Sequence, residues 1–205
     1  MLSYKQELTG LGLKMFKVAV LVGSVRPNST NLQFARAIEK LAVGRLQFDF
    51  IDVGALPFYD DALWNDPPAS VLDMKDRIAA ADAVLFVTPE YNRSIPGVLK
   101  NAIDWPSRPF GQSVWEGKPA AIVGATVSPV GTAAAQAHLR SILVVLGLAL
   151  MGRPEMYQTL KPGMIDEDHL ITDERTRLFV GKWLDSFVSW IGKFAVPQQL
   201  KIAAE

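Results

Sequence analysis

Residues 18–31 read VAVLVGSVRPNSTN, and the way this stretch is built decides the fold. Val18 to Val22 are all apolar and mostly β-branched, as in a strand covered on both faces. Gly23 permits a tight exit from that strand. The chain then runs through Ser24, Arg26, Pro27, Ser29, Thr30 and Asn31, all polar or turn-forming. Helical spacing follows at once: Leu32, Ala35, Ile38 and Ala42 share one face, with Phe34 and Leu41 alongside. A buried strand that passes through a polar turn into an amphipathic helix is the opening unit of an α/β protein.

The alternation continues to the end of the chain. Strand patterns occur at Val18–Val22, Leu46–Ile51, Ala83–Val87, Ala120–Ala125 and, more weakly, near Leu148–Met151. Helical patterns lie at 30–43, 69–81, 96–104, 132–147 and 173–193. The last helix is expected to carry an apolar stripe of Leu178, Trp183, Leu184, Phe187, Val188 and Ile191. This order predicts one domain with a parallel sheet between two layers of helices. Such sheets gather ligands at the carboxyl ends of their strands. The loops at 23–31, 88–96 and 125–132 therefore hold the candidate site.

Composition narrows the chemistry. The 205 residues are 49% hydrophobic and 20% charged, with 21 basic and 21 acidic side chains. That balance opposes nucleic-acid or membrane-surface binding driven by bulk charge. The chain contains no cysteine, which excludes disulfides, thiol catalysis and thiolate metal sites. Its two histidines, His138 and His169, are far apart in sequence and predict no metal centre; His138 is expected to pack on or beside a helix. No segment approaches the ~20 apolar residues of a membrane span. The first fourteen residues lack the apolar stretch of an export signal, so the expected compartment is the cytoplasm. The expected layout is an N-terminal extension at 1–16, a domain at 17–195 and a tail at 196–205.

The loop after the first strand has two readings. Pro27-Asn28 can make a turn, and Ser29 or Thr30 can cap the helix. Equally, the amino end of a helix offers unpaired N–H groups and partial positive charge, which with Arg26 and the hydroxyls suits a phosphate. On this loop alone both remain open. A Walker-type phosphate loop is absent, and Gly10-Leu11-Gly12 precedes the strand and has Met15 where a third glycine belongs.

The third strand runs into TPEYNRSIPGVLKNAIDW, residues 88–105. Pro89, Glu90, Tyr91 and Asn92 fall at the same sheet edge as the first loop and suit a flat heteroaromatic ring. The alternative is a plain loop leading into a helix at Pro96. Taken together, Gly23-Ser24-x-Arg26-x-x-Ser29-x-Asn31 and Pro89-Glu90-Tyr91-Asn92-x-Ser94-x-Pro96-Gly97-x-Leu99-Lys100-Asn101-Ala102-Ile103-Asp104-Trp105 closely resemble the NAD(P)H-dependent FMN reductase family. The resemblance is strongest to its bacterial quinone and chromate reductases. Further similarity lies at Leu56-Pro57-Phe58-Tyr59-Asp60, Gly117-Lys118-Pro119 and His138-Leu139-Arg140.

The resemblance implies a flavodoxin-like three-layer sandwich with a five-stranded parallel sheet of order 2-1-3-4-5. It implies FMN held by Ser24, Arg26, Ser29, Thr30 and Asn31 at the phosphate and ribityl end. Pro89, Glu90, Tyr91 and Asn92 would line the ring, largely through backbone groups, with Ala125 and Thr126 on a third wall. Ser94, Lys100, Asn101 and Asp104 would support the loop or a subunit contact. NADPH or NADH would pass hydride to flavin N5 and thence to quinones, or to azo, nitro, chromate or free-flavin acceptors, with no catalytic side chain and no metal. The alternative is a flavodoxin-type electron carrier, a class that tends to be strongly acidic, unlike this chain. A homodimer or homotetramer is implied, with the last helix and Phe110–Trp115 as candidate contacts. One departure stands out: Ala125 falls where relatives often carry serine, and Pro129 stiffens the turn beyond it.

Overall fold

The computed structural model describes residues 15–195. The expected extension and tail therefore lie outside the described residues, apart from Met15 and Phe16. The sheet is built from β1 (Phe16–Val22), β2 (Leu46–Ile51), β3 (Ala83–Val87), β4 (Pro119–Thr126) and β5 (Ala149–Leu150), in the order β2-β1-β3-β4-β5. Every pairing in it is parallel. The helices are α1 (Thr30–Leu41), α2 (Ala69–Ala80), α3 (Gly97–Asp104), α4 (Ala133–Val145) and α5 (Glu174–Phe194).

Side-chain alternation along β1 divides the core. Val18, Val20 and Val22 join Phe34 and Ile38 of α1 and Val180, Trp183 and Phe187 of α5. Ala19 and Leu21 face the opposite way, onto Val71 and Met74 of α2, Leu99 of α3 and Leu139 of α4. The three layers follow from a period of two in the strands meeting 3.6 in the helices.

Two expectations need correction. The weak fifth strand is only Ala149–Leu150, and the chain returns to β4 as β6 (Tyr157–Thr159). Between the two pairings this edge advances seven residues, from Leu150 to Tyr157, while β4 advances four, from Ala120 to Gly124. The surplus is looped out at a Pro-containing bend, so the edge strand is broken and periodicity is lost. Along α5, Leu178 is exposed and Val180 takes its place in the core. The buried positions 176, 180, 183, 184, 187 and 191 keep strict i, i+3, i+4 spacing, which Leu178 does not.

The carboxyl ends of the central strands are stitched together. Gly23 N–H donates to Val87 O at 2.9 Å and Thr88 N–H donates to Val123 O at 2.9 Å. Gly124, near the end of β4, lies so close to the Thr132 side chain and the Thr88 carbonyl that a Cβ would collide with both. Its missing side chain is what allows the loops after β3 and β4 to close on each other. We expect Gly124→Ala to destabilise the fold by about 1–3 kcal/mol through overpacking, read as a lower urea midpoint at unchanged slope.

Candidate functional site

The first loop starts α1 with Ser29 as cap: its Oγ accepts the Leu32 N–H at 3.2 Å. Helical hydrogen bonding begins with Gln33 N–H to Ser29 O at 3.0 Å, so the Thr30 and Asn31 amides have no intrahelical acceptor. A serine that accepts at its oxygen keeps its own hydroxyl proton to donate. Arg26 is exposed, and among the described residues its guanidinium hydrogen-bonds only the Asn28 carbonyl, at 3.3 Å. Its charge is thus uncommitted beside a helix amino terminus, where an anion is favoured.

Asn31 behaves differently from its neighbours. Its Nδ2 donates to Ala125 O and its Oδ1 accepts from Ala125 N–H, both at 2.9 Å. Both ends of the carboxamide are engaged by β4, and Asn31 keeps its second Nδ2 proton and its main-chain N–H. The side chain is a brace between the first loop and the fourth strand. Ala125 in turn sends its methyl into the apolar cluster beneath α1. A serine there would bring a hydroxyl into that cluster.

The second loop is pinned at several points. Glu90 Oε2 accepts the N–H groups of Ala134 and Ala135 at 3.0 and 3.1 Å. Thr132, which precedes α4, makes no side-chain cap of its own, so Glu90 caps that helix from another loop. Tyr91 and Ser94 exchange both backbone hydrogen bonds, at 2.9 and 3.0 Å. Between them Asn92 and Arg93 have φ of 52° and 66°, the paired left-handed geometry of a tight reverse turn. Ser94 Oγ is 2.8 Å from His138 Nδ1, which ties the turn to α4. Below, Asn101 receives the Tyr59 N–H and donates to Pro57 O, each at 2.8 Å, while Trp105 Nε1 donates to the same carbonyl at 2.9 Å.

On the third wall, Thr126 Oγ1 accepts the Ser128 N–H at 3.2 Å, and Ser128 O accepts the Gly131 N–H at 3.2 Å. Gly131 has φ of 66°, which closes the turn begun at Pro129.

These three loops enclose a cavity of about 360 Å³. At one end stand Ser24, Arg26, Ser29, Thr30 and Asn31; at the other, Pro89, Glu90, Tyr91, Ala125 and Thr126. Every residue expected from sequence lines it except Asn92, which is taken up by the turn, and Val127 is an addition. Val127 was legible only as a member of the candidate loop at 125–132. Among the described residues no group of three or more His, Cys, Asp or Glu is placed to hold a metal ion, and no helix is long and apolar enough to cross a membrane. The donor set suits one phosphate monoester at the hydroxyl–arginine end and a planar ring at the other. Such a group with such a cavity fits FMN.

A parallel sheet of this order with the cavity at its switch point is the arrangement of flavodoxin-like mononucleotide-binding proteins. The sequence profile of the NADPH-dependent FMN reductase family matches residues 16–159. A 2-hydroxy-1,4-benzoquinone reductase of a Burkholderia species is 49% identical over 175 residues, covering 85% of this chain and 96% of that protein. A quinone reductase of Pseudomonas putida is 41% identical over 179 residues, covering 87% and 96%. Among solved structures, FerB of Paracoccus denitrificans, a flavoenzyme NAD(P)H:(acceptor) oxidoreductase, superposes with a TM-score of 0.87 at 47% identity, covering 89% of this chain and all 100% of that one. The chain belongs to the NADPH-dependent FMN reductase family. It is an oxidoreductase whose cofactors are FMN and a reduced nicotinamide nucleotide.

The brace between Asn31 and Ala125 gives a measurable consequence. Asn31→Ala strands a buried N–H and C=O, and we expect a loss of about 1–3 kcal/mol in chemical denaturation even without cofactor.

Proposed function

We propose that FMN binds in the cavity with its phosphate against Ser24, Arg26, Ser29 and Thr30 and its ring between the Pro89–Tyr91 loop and Ala125–Val127, and that the electron acceptor is a quinone. The observation that carries this reading is the meeting of an uncommitted cationic hydroxyl loop and an aromatic loop in one cavity. The quinone comes from the names borne by relatives at 49% and 41% identity. Azo, nitro, chromate and free-flavin acceptors share the same chemistry and rank behind it.

Bound FMN supplies the two-electron carrier that takes hydride from the nicotinamide and delivers it to the acceptor. The protein's part is placement. Arg26 and the amino end of α1 offset the phosphate charge, while the Ser29 hydroxyl is aimed by its bond to Leu32. Glu90 is held by two α4 amides, which keeps its carboxylate off the ring and leaves the loop backbone to meet the ring's polar edge. Tyr91, about half exposed, offers an aromatic surface where a flat co-substrate enters. The cavity is open, so water reaches the proposed site.

The same reading makes 17–195 a single reductase domain working in the cytoplasm, where reduced nicotinamide is supplied. It also assembles as a homodimer or homotetramer. Trp115 is fully buried, with Nε1 donating to Ile103 O at 2.9 Å, so it belongs to the core and not to a contact. Exposed Phe110, Val144, Val145, Leu178 and Phe179 supply apolar surface for assembly.

Three measurements test the proposal. NADPH added anaerobically to the FMN-loaded protein is expected to bleach the oxidised flavin band, and a quinone to restore it; a persistent band rejects the assignment. Arg26→Ala is expected to weaken FMN binding on the order of tenfold or more, since a charge-assisted phosphate contact is lost. Light scattering is expected to return a multiple of the chain mass.

A further inference from the structure

The cavity does not end at its third wall. Thr30 and Val127 also border a second cavity of about 160 Å³, whose far side is Leu160, Lys161, Pro162 and Gly163. Gln33, Gly163 and Ile165 then border both this cavity and a third one reaching Asp166, Glu167 and His169. Thr30 and Gln33 lie one turn apart on α1, so a continuous groove leads from the proposed FMN site along the first turn of that helix.

Its outer wall is built and not loose. Lys161 O accepts the Met164 N–H at 3.2 Å, and Gly163, with φ of 82°, turns the chain. Thr172 Oγ1 donates to Gly163 O at 2.7 Å, Thr172 N–H donates to Met164 O at 3.0 Å, and Ile165 bridges Ile171. Lys161 is thus presented from a fixed turn. Its side chain is exposed, and among the described residues it ion-pairs with no carboxylate, Asp173 acting on it only at a distance.

The order of chemistry along the groove is specific. Next to the FMN cavity come apolar Val127 and Pro162 and the Gln33 amide, with the lone cation Lys161 among them. Beyond lie the carboxylates of Asp166 and Glu167, which repel a second anion. One phosphate group on the ribose of a purine nucleoside fits at Lys161, while a further phosphate beyond it, beside Asp166 and Glu167, does not. We propose that the groove receives the adenosine end of the nicotinamide cosubstrate and that Lys161 pairs with its 2′-phosphate, an inference that rests on the FMN site described above. Lys161 is then the residue that makes the enzyme prefer NADPH to NADH.

The test uses the FMN-loaded protein and its Lys161→Ala variant. KM for NADPH is expected to rise about tenfold in the variant, while KM for NADH moves less than about twofold. A calorimetric titration with 2′-AMP and 5′-AMP reads the groove without turnover: wild type binds 2′-AMP the more tightly, and the variant loses that difference. Equal KM changes for both nucleotides, no change in either, or an unaltered 2′-AMP affinity overturns the assignment. If the wild type oxidises neither nucleotide, the reductase reading fails instead, and the 2′-AMP titration still decides the role of Lys161.

Discussion

Two hydrogen bonds between the Asn31 carboxamide and the backbone of Ala125 hold the site in one piece. They reach across 94 residues of sequence and join the start of α1 to the end of β4. Without them the hydroxyl loop and the third wall would be separate ends of a sheet. With them, the α1 amino terminus is fixed relative to the strand whose exit forms the far side of the cavity. The brace is almost inaccessible to water, where such bonds are strong and their loss leaves two polar groups unsatisfied.

The second loop depends on that frame through α4. Glu90 caps α4 from outside, and α4 is positioned by Thr132 packing over Gly124 of the same strand. Each wall of the cavity is therefore referred back to β4. The polar groups are divided accordingly: Asn31 and Glu90 spend hydrogen bonds on structure, whereas Arg26, the Ser29 hydroxyl proton and the first amides of α1 remain for a ligand. A site of this kind orients a cofactor that carries its own chemistry.

Much of this was legible in the sequence. The strand–helix alternation gave the layers, because a period of two and a period of 3.6 are written directly in residues such as Val18–Val22 and Leu32–Ala42. The site loops were legible because α/β sheets gather ligands at strand ends, and because two motifs resemble a known family. The division of labour within the site was not. Asn31 reads as one more phosphate donor, and its role as a brace appears only when its partner 94 residues away is seen. Glu90 and Asn92 read as lining for a ring, and their other roles, capping α4 and forming a left-handed turn, are visible only in the structure. The broken edge strand escaped for a related reason: Ala149–Leu150 and Tyr157–Thr159 are each too short to carry a period. Long-range pairing decides these cases, and periodicity is blind to it.

In the binding mode proposed above, one cavity at the β4 end of the sheet holds FMN by its phosphate at the start of α1. A crystal structure of the FMN-loaded protein tests it most directly. Phosphate oxygens are expected within hydrogen-bonding distance of Arg26, the Ser29 hydroxyl and the Thr30 amide, with the ring lying between Pro89–Tyr91 and Ala125–Val127. A phosphate bound elsewhere, or a ring outside those two loops, would contradict it.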